Sequence, residues 1–296
     1  MTKNLLITGI NGFIGSYCKA YFANKGLNVY GIDMAGCSSN ETLIAEVTEE
    51  NIKSFNKKFD YIVHLAGSRT VSASQKNPDV EKNKSVGSCK EVLEYIKNYN
   101  PKAKMIFSSS ASVYGDDYSG PILERDKVNP ISIYGSHKLE AENLCKYYNE
   151  QYGLNIEIPR IFSVYGNGLR KQLLWDFSNR ILNAEKKLDC FGTGDELRDF
   201  VHISDLVSFF EILMLQNEKF GIYNCASGVS TSVKEIMQLI LKFNDKTLDL
   251  VFDNIEREGN PKILIADISK AESIGFSPKK RIEKGIKEYV EWFKNN

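Results

Sequence analysis

A tyrosine and a lysine four positions apart are the residues of this sequence best suited to acid–base chemistry. They are Tyr134 and Lys138, in the run Tyr-Gly-Ser-His-Lys, and on a helix this spacing places both side chains on one face. A phenol with a pKa of about 10 stays protonated at neutral pH, so it cannot act as a base there unaided. Because a neighbouring ammonium group favours the phenolate, the pair predicts a tyrosine that accepts and returns a proton.

The same spacing occurs a second time, at Tyr21 and Lys25, so position in the chain must decide between the two pairs. The second pair falls on the first predicted helix, away from the carboxyl ends of the predicted strands, and we interpret it as a chance match. A serine-rich run at residues 108–115 instead follows directly from a predicted strand. Ligands of open α/β sheets bind at that edge, so a serine hydroxyl there is expected to hydrogen-bond the substrate oxygen.

A glycine motif near the beginning of the chain predicts a dinucleotide site. Gly9, Gly12 and Gly15 form G-x-x-G-x-x-G between a predicted strand and a predicted helix, the context in which a helix N-terminus receives a pyrophosphate. Asp33 ends the second predicted strand, where a carboxylate accepts hydrogen bonds from ribose hydroxyls and repels a 2′-phosphate. Met34 and Ala35 supply no arginine for such a phosphate, so the sequence predicts NAD(H) rather than NADP(H).

The elements that must position these residues alternate between strand and helix. A first helix is predicted from the glycine motif to about Lys25, and two longer helices are predicted over Asp79–Tyr99 and Ile131–Tyr152. Apolar runs predict six strands: Lys3–Thr8, Leu27–Ile32, Thr42–Val47, Tyr61–Leu65, Ala103–Phe107 and Asn155–Ile161. This alternation predicts an α/β fold, a doubly wound parallel Rossmann sheet over residues 1–165.

After Gly166 the rhythm changes. Strands are predicted at Leu188–Phe191 and Asp199–His202, between helices at Leu173–Ala184, Asp205–Leu215 and Val233–Phe243. Residues 166–296 are therefore expected to form mainly a smaller α/β substrate-binding lobe, with some segments returning to the Rossmann domain.

Composition narrows the class of protein. The 296 residues carry 38 basic and 38 acidic side chains, so bulk charge gives no indication of a nucleic-acid or membrane partner. The six cysteines are scattered without metal-like spacing and are expected to be free thiols in a reducing compartment. The N-terminal apolar run is too short for a signal peptide, and no run approaches the roughly 20 residues of a membrane span. We therefore expect a cytoplasmic protein without a metal site.

Taken together, the motifs resemble the extended short-chain dehydrogenase/reductase family, in its branch of NAD-dependent nucleotide-sugar epimerases and dehydratases. The matching segments cover nearly the whole chain: TGINGFIG, the Asp33 strand end, VHLAG, FSSSASVYG, YGSHK, PRIFSVYG, RDFVHISDL and REGN. The resemblance implies that Tyr134 is the acid/base, that Lys138 binds the nicotinamide ribose and lowers the tyrosine pKa, and that Ser110 is the hydroxyl partner.

The resemblance also implies the residues that bind the two ligands. Cofactor contacts are expected from the glycine motif, the strand ends and the catalytic pair: Gly9, Asn11, Gly12, Phe13, Ile14, Gly15, Asp33, Met34, Glu46, Val47, Leu65, Ala66, Gly67, Ser108, Tyr134, Lys138 and Ile161. Nucleotide-sugar contacts are expected from Arg69, Ser110, Ser112, Tyr134, Ser163, Arg198 and Arg257. Arg198 and Arg257 would hold the diphosphate, since a guanidinium matches phosphate oxygens and stays charged.

Two departures from the branch bear on the reaction. Dehydratases carry an acidic pair directly after the catalytic hydroxyl, and Ala111 and Ser112 stand there, so 4,6-dehydration is excluded. The remaining set resembles UDP-glucose/UDP-galactose-type 4-epimerases, although Ser163 and Ser85 replace family asparagines. A nucleotide-4-keto-sugar reductase using NAD(P)H and a non-catalytic NAD(H) sensor are the alternatives.

Two further expectations concern the histidines and the assembly. His64, His137 and His202 are interpreted as structural rather than catalytic. The resemblance implies a homodimer whose two long helices, near Asp79–Tyr99 and Ile131–Tyr152, form a four-helix bundle with the partner.

Overall fold

Strands and helices alternate along the chain, whose computed structural model describes residues 2–67, 77–255 and 261–296. The strands are β1 (Asn4–Thr8), β2 (Asn28–Asp33), β3 (Thr42–Ile44), β4 (Tyr61–His64), β5 (Lys104–Phe107), β6 (Ser109–Ser110), β7 (Asn155–Ile161), β8 (Ser163–Tyr165), β9 (Lys187–Cys190), β10 (Leu197–His202), β11 (Phe220–Cys225), β12 (Ser230–Ser232), β13 (Asp249–Phe252) and β14 (Ile263–Leu264). The helices are α1 (Phe13–Asn24), α2 (Glu49–Lys53), α3 (Pro78–Lys82), α4 (Ser88–Tyr99), α5 (Ile133–Tyr152), α6 (Gln172–Leu182), α7 (Ile203–Leu215), α8 (Val233–Phe243), α9 (Ser269–Ser273) and α10 (Ile282–Lys294).

The largest sheet has the strand order β11-β7-β5-β4-β1-β2-β3, with β6 paired to β7. Strands β1 to β7 pair in parallel, so their carboxyl ends lie at one edge. The order reverses beside β1, which is the switch point where ligands of doubly wound sheets bind. This architecture confirms the predicted fold class.

Burial explains why these segments are strands. The side chains of Leu5, Leu6 and Ile7 in β1 are wholly buried, as expected for a strand covered on both faces. Helices α4 and α5 pack against the sheet through an apolar cluster that includes Val92, Ile96 and Ala141. The cluster fixes α5, which carries Tyr134 and Lys138, and its neighbour α4.

The chain divides into two compact units. The first contains residues 1–115, 127–161 and 207–223, and therefore holds the large sheet. The second contains residues 116–126, 162–206 and 224–296. Within the second unit, β10 pairs with β8, β12 and β14, and β9 pairs with β13 in parallel.

The structure refines several predicted boundaries. Helix α5 begins at Ile133 rather than Ile131, because the Ser132 side chain accepts a hydrogen bond from Gly135 N at 3.0 Å and caps the helix. The predicted helix over Asp79–Tyr99 contains a π-helical turn at Asn83–Gly87. The strands β6, β8, β11, β12, β13 and β14 were not predicted; most of them have only two to four residues, too few for a periodic pattern.

No helix in the described ranges is both long enough and apolar enough to cross a membrane.

Candidate active site

The predicted pair, Tyr134 and Lys138, lies in the first turns of α5, at the point where this helix touches the serine-rich loop. Gly135 makes the approach possible, since a Cβ there would lie closer than 3.0 Å to the carbonyl oxygen of Ser112. Any larger residue would push the helix away from the loop. Glycine disfavours a helix interior by about 1 kcal/mol, so its presence here reflects packing rather than helix propensity.

The Ser110 hydroxyl and the phenol of Tyr134 are neighbours, close enough that the serine lowers the pKa of the phenol. Ser110 Oγ also accepts from Ser112 N at 3.2 Å and donates to Ser112 Oγ at 3.1 Å, which fixes its direction. Burial raises the pKa of Tyr134 by desolvating the phenolate, and Ser110 opposes this rise. The predicted serine and tyrosine are thus brought together, and Ser110 itself lowers the pKa of the phenol.

Lys138 is buried one turn further along α5. Its ammonium donates to the carbonyl oxygen of Ser108 at 2.7 Å and lies 5.9 Å from the centre of the Tyr134 ring. Burial lowers the pKa of Lys138 to about 8, and Cys89, Glu142 and Cys145 oppose the shift. Lys138 is therefore mostly protonated at neutral pH, and it loses its charge as the pH rises through about 8.

The glycine motif has the geometry that a pyrophosphate requires. Gly9 has φ +75°, and its N–H donates to Ile32 O at 2.7 Å, which forms the tight turn after β1. Gly12 is the N-cap of α1 and presents no side chain in front of the helix N-terminus. A Cβ at Gly15 would lie closer than 3.0 Å to Gly9 O, so only glycine lets α1 pack on β1. The open N-terminus fits an anionic cofactor group.

Asp33 ends β2 beside this turn. Its Oδ2 accepts from Asn11 N at 2.8 Å and its Oδ1 from Ala35 N at 3.2 Å. A carboxylate offers about four acceptor positions, so capacity remains for ribose hydroxyls. Ala45 N donates to Asp33 O at 2.9 Å, and Glu46 and Val47 directly follow Ala45. These residues fit the ribose end of a dinucleotide.

The loop after β4 lies next to the glycine turn. The backbone N–H groups of Leu65 and Ala66 donate to Thr8 Oγ1 at 3.2 Å each, and Gly67 has φ +147°. A Cβ at Gly9 would lie 3.2 Å from Ala66 N, so the two loops are in close contact. Leu65, Ala66 and Gly67 therefore occupy the carboxyl edge of the sheet next to the glycine motif.

His64 and Ser108 support these loops from below. His64 is wholly buried, contacts Thr8 Oγ1 at 2.7 Å through Nδ1 and Ser88 Oγ at 3.3 Å through Nε2. Burial, with a smaller effect of Lys138, lowers the pKa of His64 to about 3. Ser108 Oγ donates to His64 O at 3.0 Å. His64 is a neutral structural residue, as predicted.

In the second unit, Ser163 begins β8 and pairs with Phe200 of β10. Arg198 lies on β10 and its Nη1 donates to Leu197 O at 2.8 Å. Burial lowers the pKa of Arg198, and Glu196 opposes the shift. Nδ1 of His202 lies 2.7 Å from Ser204 Oγ, and burial lowers its pKa to about 4, in agreement with a structural role.

Two predicted substrate contacts, Arg69 and Arg257, lie outside the described residues. The structure places the other predicted contact residues at strand ends and at the beginning of α1. Ile161 ends β7 and is buried, Met34 is exposed after β2, and Phe13 and Ile14 open α1.

The alternative tyrosine–lysine pair has a structural explanation. Tyr21 OH donates to Glu211, and Lys25 Nζ forms an ion pair with the same carboxylate at 2.9 Å. Both side chains therefore anchor α1 to α7 within the first unit. Their spacing therefore has a structural explanation that does not involve the predicted site.

A sequence model of the NAD dependent epimerase/dehydratase family matches residues 5–226. The chain belongs to this family. The family resemblance drawn from the sequence motifs is thereby confirmed.

Individual family members support the same assignment. A UDP-glucuronate 4-epimerase of Thermodesulfobacterium geofontis is 30% identical over 314 residues, which cover 98% of this chain and 96% of the relative. The UDP-glucose 4-epimerase of Thermotoga maritima, solved with UDP-glucose, has a TM-score of 0.90 at 27% identity and 99% coverage of both chains. The UDP-glucuronic acid 4-epimerase of Bacillus cereus, solved with UDP-glucuronic acid and NAD, has a TM-score of 0.87 at 26% identity and 99% coverage of both.

The structure of this family member also reveals site residues that were not predicted. Gly135 lies against Ser112, Ser109 donates to Glu142, and Arg160 forms an ion pair with Glu142. A glycine in the first turn of a helix and a glutamate on its apolar face are the signals that could have indicated two of them.

Proposed function

We propose that this protein is an NAD-dependent nucleotide-sugar epimerase of the UDP-hexose 4-epimerase type. The observation that carries the proposal is the juxtaposition of Ser110 and Tyr134, with Lys138 bound to Ser108 O one turn away and no acidic side chain at positions 111 and 112. The 4-epimerase activity of the family members named above supports it. Ala111 is buried and Ser112 is bound to Ser110, so neither acts as the acid of a dehydratase.

The residues of the site divide the proton chemistry between them. Tyr134 accepts the proton of a sugar hydroxyl at its phenolic oxygen and returns it at the end of the reaction. Ser110 hydrogen-bonds the same sugar oxygen and keeps it in line with the phenol. The positive charge of Lys138 favours the phenolate form of Tyr134. Bound NAD supplies a reversible hydride acceptor, which allows inversion without net oxidation.

NAD is the cofactor, and the geometry of the first unit fits it. Gly9, Gly12 and Gly15 would receive the pyrophosphate, and Asp33 would accept hydrogen bonds from the adenosine ribose. The remaining cofactor contacts are proposed at the strand ends and in the loops described above, together with Lys138 at the nicotinamide ribose. The carboxylate of Asp33 favours NAD over NADP.

On the substrate side, Ser112, Ser163 and Arg198 are the proposed contacts, together with Arg69 and Arg257. We assign nucleotide-sugar binding mainly to residues 166–296 and NAD binding to residues 1–165. An arginine that holds phosphate oxygens is consistent with a diphosphate-linked sugar.

We further propose a cytoplasmic homodimer whose four-helix bundle is built from α3, α4 and α5. These helices expose three large aromatic side chains: Tyr99 is 44% exposed, Tyr147 51% and Tyr152 48%. Exposed aromatic side chains support a contact between helices of two protomers. Light scattering of the purified protein would give twice the 33.5 kDa chain mass for a dimer.

The activity is tested by purifying the protein, releasing its bound cofactor and incubating it with UDP-hexoses. Retained NAD and interconversion of 4-epimers are expected. Stoichiometric oxidation of NADH or NADPH that requires a 4-keto-sugar would instead identify a reductase. Nucleotide binding without turnover of any sugar would identify a sensor.

A further inference from the structure

A network of buried polar side chains connects α5 to β6 and β7. Arg160 on β7 donates to Glu142 on α5 through Nε, at 3.0 Å to Oε1, and through Nη2, at 2.7 Å to Oε2. Ser109 Oγ donates to Glu142 Oε1. The Arg160 guanidinium also lies 4.8 Å from the centre of the Tyr114 ring. One carboxylate thus holds three elements of the first unit together.

This network adjoins the catalytic groups on both sides. Ser109 lies between Ser108, whose carbonyl binds the Lys138 ammonium, and Ser110, whose hydroxyl lies beside the Tyr134 phenol. Glu142 follows Lys138 by four positions on the same face of α5. A displacement of Ser109 would therefore change the Lys138–Ser108 and Tyr134–Ser110 contacts together.

Charge adds to the geometry. The titratable groups around Lys138 come from three elements: His64 on β4, Cys89 on α4, and Tyr134, Glu142 and Cys145 on α5. His64 is neutral, and burial raises the pKa of Cys145 well above its usual range. Among these groups Glu142 is the carboxylate, and it opposes the burial that lowers the pKa of Lys138 to about 8.

We propose that Glu142 is a positioning residue of the epimerase, which holds the serine loop against α5 through Ser109 and keeps Lys138 in its charged form. The expected effect of Glu142 on kcat rests on the proposed function. Its effect on the charge of Lys138 does not, because that charge can be measured without substrate.

The chain provides a matched control for a merely structural role. Lys104 and Glu157 form a second buried ion pair in the first unit, at 3.2 Å, and Lys104 also donates to Leu213 O at 3.3 Å. Glu157→Gln therefore disrupts a buried pair in the same sheet. Glu142 and Glu157 are 3% and 0% exposed, so both substitutions leave a buried cation without its partner.

In Glu142→Gln we expect kcat near neutral pH to fall about tenfold or more, with KM for the UDP-sugar changed by less than about threefold. Lys138 must be protonated, so activity is lost as the pH rises through its pKa. Because removal of the carboxylate lowers that pKa, the alkaline limb of the pH profile of kcat should move to a pH about one unit lower. Glu157→Gln should lower thermal stability and leave the pH profile of kcat unchanged.

The ε-carbon NMR shift of isotopically labelled Lys138, assigned against Lys138→Arg, measures the same titration without substrate. Its midpoint is expected about one pH unit lower in Glu142→Gln than in the wild type and Glu157→Gln. Equal midpoints in the three proteins would overturn the inference. If the wild type epimerises no UDP-hexose while the midpoint still moves, the proposed function fails and the electrostatic role of Glu142 stands.

If Glu142→Gln does not fold, Glu142→Gln/Arg160→Met removes both charges of the pair. The loss of kcat is then expected to remain, and the Lys138 midpoint should move less, because loss of the Arg160 cation opposes loss of the carboxylate. Ser109→Ala separates the two effects, since it leaves the ion pair intact. We expect about a fivefold loss of kcat with the Lys138 midpoint unchanged. Wild-type kcat in Ser109→Ala would refute positioning through the serine loop.

Discussion

The ammonium of Lys138 donates a hydrogen bond to the backbone carbonyl oxygen of Ser108 at 2.7 Å. The bond joins the catalytic helix to the end of a central strand, and its acceptor cannot be removed by substitution of a side chain. Tyr134, one turn earlier, lies beside Ser110. Contacts between α5 and the serine-rich segment after β5 therefore position both residues of the proposed catalytic pair.

Replacement of Tyr134 by phenylalanine should abolish epimerisation and leave NAD binding intact. The phenolic oxygen is the proposed proton acceptor, and loss of a general base lowers kcat by roughly a hundredfold to ten-thousandfold. Turnover of UDP-hexose and the bound NAD content measure the two properties. Tyr21→Phe is the matched control, since that phenol binds Glu211 instead. Full activity in Tyr134→Phe would disprove the assignment of the base.

Gly135→Ala should reduce kcat even though alanine is the better helix former by about 1 kcal/mol. The new Cβ would lie closer than 3.0 Å to Ser112 O, so α5 and the serine loop must separate. We expect a loss of kcat of about tenfold, with far-ultraviolet circular dichroism unchanged. Gly120→Ala is the control, because a Cβ there meets nothing within 4 Å. Wild-type kcat in Gly135→Ala would show that the close approach is dispensable.

Cofactor choice should depend on Asp33. In Asp33→Ser/Met34→Arg, the carboxylate that would repel a 2′-phosphate is replaced and an arginine is supplied. We expect NAD to bind at least about tenfold more weakly and NADP more tightly, measured as dissociation constants for both. Met34→Arg alone retains Asp33 and should still prefer NAD. An unchanged preference in the double variant would mean that Asp33 does not read the ribose.

Acid should destabilise the protein through His64. Burial lowers the pKa of His64 from 6.5 to about 3, so the unfolded chain binds the proton more readily. The neutral His64 side chain contributes fully to the free energy of unfolding above its unfolded-state pKa, and this contribution is lost as the pH falls. The free energy of unfolding should therefore decrease by about 2 kcal/mol between about pH 7.5 and pH 5. Urea unfolding at the two pH values measures this loss.

His64→Asn removes the titrating group and should show a smaller loss of stability between the same pH values. Part of the dependence should remain, because burial lowers the pKa of His202 to about 4. Equal m-values in the wild type and the variant would show that the same unfolding reaction is compared. An identical pH dependence of the two proteins would exclude His64 as its source.

Much of the site follows from short stretches of the sequence. The i, i+4 spacing places Tyr134 and Lys138 on one helix face wherever that helix lies, and the glycine motif forms its turn within seven residues. Ala111 and Ser112 exclude dehydration by their side-chain chemistry alone. Each of these features involves residues that are close together in the sequence and can therefore be predicted from it. The same holds for the apolar runs that predict β1, β4 and β5.

Tertiary structure decided the rest, because it depends on residues far apart in the chain. Glu142 becomes part of the site only where Arg160 and Ser109 reach it from neighbouring strands, and Gly135 matters only because Ser112 lies against it. The pKa of Lys138 likewise depends on burial between α4, α5 and the sheet. The sequence alone determined which groups are proposed to carry the chemistry. Only the packing of α5 against the strands decided how they are held and charged, since burial and long-range hydrogen bonds have no local signature.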